Sequence, residues 1–312
     1  MCIMKKYLIP LLLVAFLVTA FTSCKPDEEI YDPVCKISKI WYRSDVGSPN
    51  EVYVYDEKGK ELQQIIVDSI YSFDFSYNKD KTVSKIVHNG VNYTETIDLQ
   101  WTDRLVDKMT YQVDGAVVLE YTFYRNSNEK DKAFGRIDSI EVTYDGVFYD
   151  PYFDDISNRN LKHPLYDKVF GDYKEIAEIF THNESKDLRM YSVKKFTYDP
   201  GEKEKYENIS QYVEVFPIAQ TVITHTYQYD LNSYNPFYGL PFAYAGLDGY
   251  YLNLKTVEHI EKVVAGSLPD VEDIVYQYNG THYMNDKGYP RQFVTISSKN
   301  NIPIHTYILY KK

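Results

Sequence analysis

Residues 72–81 read Ser72-Phe73-Asp74-Phe75-Ser76-Tyr77-Asn78-Lys79-Asp80-Lys81. Phe73, Phe75 and Tyr77 alternate with Ser72, Asp74 and Ser76, and a polar turn sequence follows at once. Strict alternation places every second side chain on the same face of an extended chain, so this stretch predicts a strand with one face buried and one in water. The same period runs through Glu51–Tyr55, where Val52 and Val54 alternate with Tyr53 and Tyr55. It recurs in 117–124, where Val117, Leu119, Tyr121 and Phe123 alternate with Val118, Glu120, Thr122 and Tyr124. Short turn signals separate these runs: Glu57-Lys58-Gly59-Lys60, Asn78-Lys79-Asp80-Lys81, Asn89-Gly90 and Asp114-Gly115. Asn-Gly and Asp-Gly supply the positive φ angles of two-residue hairpins, and such turns are too short for parallel crossovers. About fifteen strands of this kind predict an all-β antiparallel meander closed into a barrel or strongly curled.

Composition agrees. The 312 residues include 33 Tyr, and aromatic residues make up 16% of the chain. Tyr, Val, Ile and Thr fit a pleated, half-buried surface. A chain of this length buries enough of its unfolded surface to need neither a disulfide nor a metal. The formal net charge of −11 leaves no basic stripe for phosphate backbones, which argues against a nucleic-acid partner.

Two stretches break the alternation, and both read as inserts into a single domain rather than as linkers. Residues 146–190 hold Asp150, Asp154 and Asp155 among Tyr149, Tyr152 and Phe153, then a short predicted helix over 164–181, where Leu165, Val169, Tyr173, Ile176, Ala177 and Phe180 recur at helical spacing. Residues 231–251 are rich in Pro, Gly and aromatics, which suits a packed loop or short helix plugging one end of the sheet.

The N-terminus has the layout of an export signal. Lys5 and Lys6 precede an apolar run from Tyr7 to Phe21, which is too short to span a bilayer. Phe21-Thr22-Ser23-Cys24 resembles the bacterial lipobox, with Phe21 where Leu is usual. The resemblance implies a signal peptide over 1–23 and acylation (palmitate among the chains) of Cys24. The stretch 24–33 is then a flexible tether and 34–312 the folded domain. Its start, Lys25-Pro26-Asp27-Glu28-Glu29, resembles the short acidic signal that directs Bacteroidetes lipoproteins to the outer cell surface. Cys2 leaves with the signal and Cys24 is consumed, so Cys35 has no disulfide partner and is expected as a half-buried strand residue.

A loose repeat of aromatic, any residue, Tyr, Asp or Asn, turn and basic residue appears at Val54–Lys60, Ser76–Lys81, Thr197–Gly201 and Gln228–Asp230, with a truncated copy at Asn285–Tyr289. It resembles the tyrosine-aspartate repeats of large secreted bacterial shell proteins, although Tyr-rich hairpins alone would also produce it. The lipobox, these hairpins, Tyr229–Phe242, Tyr251–Ile260 and Asn285–Arg291 together resemble a family of Bacteroidetes lipoproteins of unknown function with a porin-like fold. The family brings no reaction, ligand or catalytic residue to carry over. A true pore would need an unbroken apolar band facing lipid, and strands with Asp and Ser on one face do not supply it.

Chemistry-bearing patterns are sparse. The seven histidines lie at least 19 residues apart, without the close pairs of zinc sites, and no nucleophile elbow or phosphate-cradling glycine loop is present. Neither a metal nor a cofactor is expected. Asp150, Asp154 and Asp155 could serve a glycosidase or hold calcium, but they lack an Asp-x-Asp ladder. Stacking on sugars is the better use of this composition, through Trp41, Trp101, Tyr234, Phe237, Tyr238 and Phe242. Asp68-Ser69-Ile70 and Asp138-Ser139-Ile140 match the Bacteroidetes O-glycosylation pattern at Ser69 and Ser139, where chance alone gives about one match. The sequence therefore leads to a non-enzymatic, lipid-anchored surface protein that binds glycan or another extracellular macromolecule. The alternatives are a periplasm-facing scaffold or apolar-ligand carrier and a glycan hydrolase.

Overall fold

The computed structural model describes residues 33–42, 49–128, 135–144, 164–170, 191–198, 208–217, 219–240, 243, 250–278 and 283–311. Sixteen antiparallel strands follow one another around a closed barrel. They are β1 (Ile37–Trp41), β2 (Glu51–Tyr55), β3 (Leu62–Val67), β4 (Tyr71–Tyr77), β5 (Val83–Asn89), β6 (Thr94–Thr102), β7 (Leu105–Val113) and β8 (Ala116–Arg125). Then come β9 (Ile137–Tyr144), β10 (Tyr191–Tyr198), β11 (Ile209–Phe216), β12 (Thr221–Asp230), β13 (Leu254–Val264), β14 (Asp270–Gln277), β15 (Gln292–Ser297) and β16 (Pro303–Tyr310). The barrel closes where β1 pairs with β16, Ile40 opposite Ile308. Odd strands rise from one rim, the terminal rim, where β1 begins and β16 ends. Even strands return from the far rim.

Alternation sorts the side chains as the sequence predicts, and closure decides which face is inside. Phe75, Ile86, Ile97, Tyr111 and Leu119 are cross-strand neighbours in one continuous row, all buried. The outer row beside it runs Lys85, Asp98, Thr110, Glu120. Lys85 pairs with Asp98 at 3.1 Å, Lys108 with Glu120 at 2.7 Å, and Gln112 Nε2 donates to Asp98 at 2.7 Å. This is the reverse of a membrane pore, whose outward faces must be apolar. The wall from β4 to β8 faces water and the barrel interior is its core.

A helix, α1 (Pro164–Phe170), docks inside from the far rim, against β5 and β6. It begins at the Pro164 expected from the sequence, while residues 171–181 of the predicted helix lie outside the described residues. Leu165 and Val169 are 1% and 2% exposed, so the helix is fastened by core contacts. Two buried carboxylates fasten it as well. Leu165 N donates to Glu95 Oε2 at 3.2 Å, and Lys168 Nζ donates to Glu51 Oε1 at 2.6 Å.

At the terminal rim each hairpin is closed by the same device. Tyr55, Tyr77, Tyr198, Tyr229, Tyr278 and Tyr310 donate their hydroxyls to the carbonyls of Ile37, Leu62, Ile137, Ile209, Lys255 and Pro290, at 2.5–2.9 Å. In the third hairpin Trp101 Nε1 takes this place against Val83 O at 2.7 Å, and in the fourth Arg125 donates to Val106 O at 2.9 Å. A β-bulge lies immediately before Tyr55, Tyr77, Trp101, Arg125, Tyr198 and Tyr229, and it turns the clasping side chain back over the preceding strand. The residue after it closes the turn: Asp56 N bonds Glu61 O, Asn78 N bonds Thr82 O and Asn126 N bonds Arg136 O. The Tyr-Asp pattern in the sequence is thus a clasp followed by a turn cap. Asn285–Tyr289 keeps the turn half of this unit without the clasp. It is a closed turn inside the β14–β15 connection, with Asn285 N bonded to Tyr289 O at 2.8 Å.

Two local expectations are revised. Cys35 precedes β1 instead of lying on it, and it is 8% exposed, accepting a hydrogen bond from Asn285 Nδ2 at 3.4 Å. Asp114-Gly115 forms a two-residue turn with φ of 49° and 82°, as read, whereas Asn89-Gly90 opens the longer connection 90–93. Gly90 serves space there and not positive φ: the Tyr93 ring lies 2.7 Å from where a Cβ on it would stand.

Candidate functional site

The connection from β12 to β13 caps the terminal rim. Asn208 and Asn253 pin it. Asn208 Oδ1 accepts from the backbone N–H groups of Leu252 and Asn253 at 3.1 Å, and Asn253 Nδ2 donates to Ser233 O at 2.6 Å. Asn235 Nδ2 donates to Tyr251 O at 2.8 Å, and its Oδ1 accepts from Phe237 N at 3.0 Å. Every one of these amides is buried, so each bond leaves little freedom to the segment that carries Phe237.

Beneath that segment lies a pocket of about 100 Å³, lined by Asn235, Pro236, Phe237, Tyr251, Asn253, Leu254, Lys255, Tyr276, Tyr278 and Phe293. Five of these ten residues are aromatic. Lys255 supplies its charge, with Nζ 5.4, 5.1 and 5.3 Å from the ring centres of Tyr227, Tyr251 and Tyr276. Glu258 balances it at 3.2 Å, and the same carboxylate accepts from His225 Nδ1 and the Tyr276 hydroxyl, both at 2.9 Å. Burial opposes ionisation of Glu258. Lys255, His225 and Tyr276 outweigh it and hold the carboxyl well below its ordinary range. Burial also raises the hydroxyls of Tyr212 and Tyr227 well above 10, with Glu214 and Glu258 adding to it for Tyr212 and the neighbouring Tyr251 and Tyr212 for Tyr227. Tyr212 stacks on His225 at 4.3 Å. Deeper in the same half, Lys194 stands 3.5 Å from Glu214, which accepts from Ser192 Oγ at 2.7 Å. The site is a rigid, charge-balanced set of rings that can stack on a ligand and hydrogen-bond to its edge.

The aromatic residues singled out from the sequence do not converge. Trp41 is on the outer wall at the far rim, opposite Tyr307, and Trp101 is the clasp of the third hairpin at the terminal rim. Tyr234 is 46% exposed on the capping segment, its ring 5.5 Å from that of Tyr289. Phe237 lines the pocket, and Tyr238 is half-buried beside it. Phe242, Cys24 and the carboxylates Asp150, Asp154 and Asp155 lie outside the described residues. Ser69 is exposed in the β3–β4 turn at φ 58°, while Ser139 is half-buried on β9 between Tyr124 and Lys195. Sequence reading missed Lys255, Tyr276, Tyr278 and Phe293, which look like any other strand residues. Only the proximity of Tyr251 and Lys255 to the 231–251 break marked them. Among the described residues no group of three or more His, Cys, Asp or Glu could hold a metal ion.

No protein-family model matches the chain, and no curated protein does. Among solved structures, a porin-like protein from Bacteroides vulgatus is similar over 89% of this chain and 99% of its own, at 12% identity and a TM-score of 0.45. The TcdB2-TccC3-TEV structure is similar over 85% of this chain and 13% of its own, at 7% identity and a TM-score of 0.32. The TcdB2-TccC3-Cdc42 structure is similar over 86% and 13%, at 10% identity and a TM-score of 0.32.

Proposed function

We propose that this protein is an outer-membrane lipoprotein, acylated at Cys24 and displayed on the cell surface, that binds a glycan or another extracellular macromolecule without transforming it. The lipobox-like Phe21–Cys24 and the acidic residues after it support the anchor and its outward direction. The pocket under Phe237 carries the binding reading: aromatic walls suit the apolar faces of a sugar ring, and Lys255 sits where a hydroxyl or carboxylate can meet it. At about 100 Å³ it admits the edge or one ring of a larger molecule, not a whole enclosed ligand. The carrier alternative is disfavoured, because Ile, Phe and Tyr side chains and α1 fill the interior from β3 to β9.

The test is a glycan array probed with residues 24–312 carrying Cys24→Ser, followed by calorimetry with Phe237→Ala and Tyr276→Ala. Aromatic stacking losses of this kind predict at least a tenfold weaker affinity for each variant, with an unchanged far-ultraviolet circular dichroism spectrum for Phe237→Ala. Binding that survives both substitutions would remove this pocket from the function. Protease treatment of intact cells addresses orientation: digestion with a periplasmic control intact supports display, and survival until lysis refutes it.

A further inference from the structure

The charges at the terminal rim are not spread evenly. Along the arc from the β14–β15 connection through β16 and β1 to the β4–β5 turn, the exposed basic residues are Lys58, Lys60, Lys79, Lys81, Arg291 and Lys311, with Lys287 beside them, against the exposed acidic residues Glu57, Asp80 and Asp286. The most concentrated part surrounds Gly59. Lys311 Nζ lies 2.4 Å from where a Cβ on that glycine would stand and 5.2 Å from the centre of the Tyr55 ring. Lys36 Nζ stands over the same ring at 5.9 Å and donates to Lys60 O at 2.7 Å. Two ammonium groups thus share one tyrosine ring beside Lys58 and Lys60. The same turn carries the carboxylates of Asp56 and Glu57; Asp56 Oδ1 accepts from Lys60 N and Glu61 N, and its charge lies under the influence of Lys311 and Lys58. Asp80 Oδ1 accepts from Thr82, through both its N–H and its hydroxyl. The far rim has the opposite balance: the exposed ionised residues of its described turns are Asp68, Asp114 and Asp270 against Lys299. Among the described residues of a chain with a formal charge of −11, the exposed cations are thus concentrated as a crown on this arc of the terminal rim, with Lys195 and Lys299 exposed elsewhere.

That end is also where the chain enters the barrel. Pro33 is nine residues from Cys24, so an acylated Cys24 holds the terminal rim within about 30 Å of the bilayer surface. The geometry points to a docking function for this crown: it seats the terminal rim on the phosphates of an anionic membrane surface. The far rim, with its acidic turns and the α1 insert, then points away from the bilayer. The inference rests on the anchor proposed above for orientation, but not for its chemistry. Ammonium groups near an anionic bilayer each strengthen partition about fivefold, within a Debye length of roughly 10 Å at 0.1 M salt.

The experiment uses residues 24–312 with Cys24→Ser, so that vesicle binding reads the crown alone, and palmitate labelling of the wild-type protein in cells reads the anchor separately. Co-sedimentation is measured with vesicles of phosphatidylglycerol and phosphatidylcholine at 3:1, and with phosphatidylcholine alone, at 0.1 M and 0.5 M NaCl. The expected result is binding to the anionic vesicles at low salt, lost at high salt and on neutral vesicles. K58E/K60E/K79E/K81E, whose substitutions fall in exposed turns, is expected to bind more than a hundredfold more weakly at an unchanged circular dichroism spectrum. Should that variant fail to fold, Lys311→Glu alone is expected to weaken binding at least fivefold. Equal binding to both vesicle types, no binding to either, or an unaffected charge-reversed variant would each overturn the inference. So would retention on a soluble sulfated polysaccharide with none on vesicles, which reassigns the crown to an acidic glycan.

Discussion

Replacing Lys168 with Met tests whether α1 is held inside the barrel by charge as well as by packing. Met keeps the aliphatic stem and removes the cation that faces Glu51, a residue 2% exposed. In the native barrel burial works against the Glu51 carboxylate, but Lys168 and the hydroxyls of Tyr42 and Tyr53 outweigh it and hold its pKa below the ordinary 4.5. Breaking a buried pair by deleting one partner costs about 3–5 kcal/mol. Lys168 retains 16% exposure of its side chain, which places the expected cost toward the lower figure, about 3 kcal/mol. A second limit comes from protonation. Without the cation, burial pushes Glu51 above its unfolded pKa, and it can discharge by taking a proton. Doing so at pH 7 costs about 1.4 kcal/mol for each unit above 4.5, or roughly 3.4 kcal/mol, so the electrostatic penalty cannot exceed that. At pH 5 the same ceiling is only about 0.7 kcal/mol. The signs are opposite in the two proteins. Wild type, with Glu51 depressed, keeps its full contribution from pH 7 down to about 4.5. The variant, with Glu51 raised, becomes more stable as pH falls from 7 to 5. Urea unfolding at pH 7 and pH 5, followed by tryptophan fluorescence, measures both. An equal loss at the two pH values would show that the pair acts by packing alone, and a loss under 0.5 kcal/mol at pH 7 would show that α1 is not held there by Lys168. Glu51→Gln combined with Lys168→Met is expected to abolish the difference between the two pH values.

Two further predictions come from the barrel wall and interior. Tyr77→Phe and Tyr229→Phe each remove one clasp and leave a carbonyl without its donor, so each is expected to lower stability by about 1–2 kcal/mol, with unchanged far-ultraviolet circular dichroism. Because β4 and β12 share no clasp residues, the double variant should lose the sum, and a cost below 0.5 kcal/mol for both singles would make the clasps ornamental. Glu258 is depressed, so its contribution is complete above about 4.5 and drains away as pH falls below that. Glu258→Gln should therefore flatten the acid limb of the stability curve by up to about 1.4 kcal/mol per pH unit, read by urea titrations between pH 4.5 and 3. An acid limb of unchanged slope would assign the acid sensitivity to other carboxylates.

Most of the wall was legible in the residues themselves. Alternation in Ser72–Tyr77 and 117–124 depends only on the two-residue period of an extended chain, and Asp114-Gly115 only on which residues accept positive φ. Leu165 and Val169 likewise marked the inner face of α1 by spacing alone. The candidate site was far less legible. Phe237 was marked by an unusual local sequence, but Lys255, Tyr276 and Phe293 are ordinary strand residues until β13, β14 and β15 are set side by side beneath the capping segment. Trp101 was read as a possible sugar platform because it is rare and aromatic. In the barrel it takes the place that tyrosine holds in six of the other hairpins, bonded to Val83 O at 2.7 Å.

What the sequence determined by itself is therefore what short-range physics encodes: strand period, turn chemistry and the recurrence of tyrosine with aspartate or asparagine at the turns. The tertiary structure decided closure through Ile40 and Ile308, residues far apart in the chain whose pairing no local rule specifies. It also decided that the apolar face turns inward and the Lys85–Asp98 face outward, and it gathered Lys36, Lys58, Lys60 and Lys311 around one turn. Each of these depends on contacts between distant segments, which form only once sixteen strands share one continuous wall.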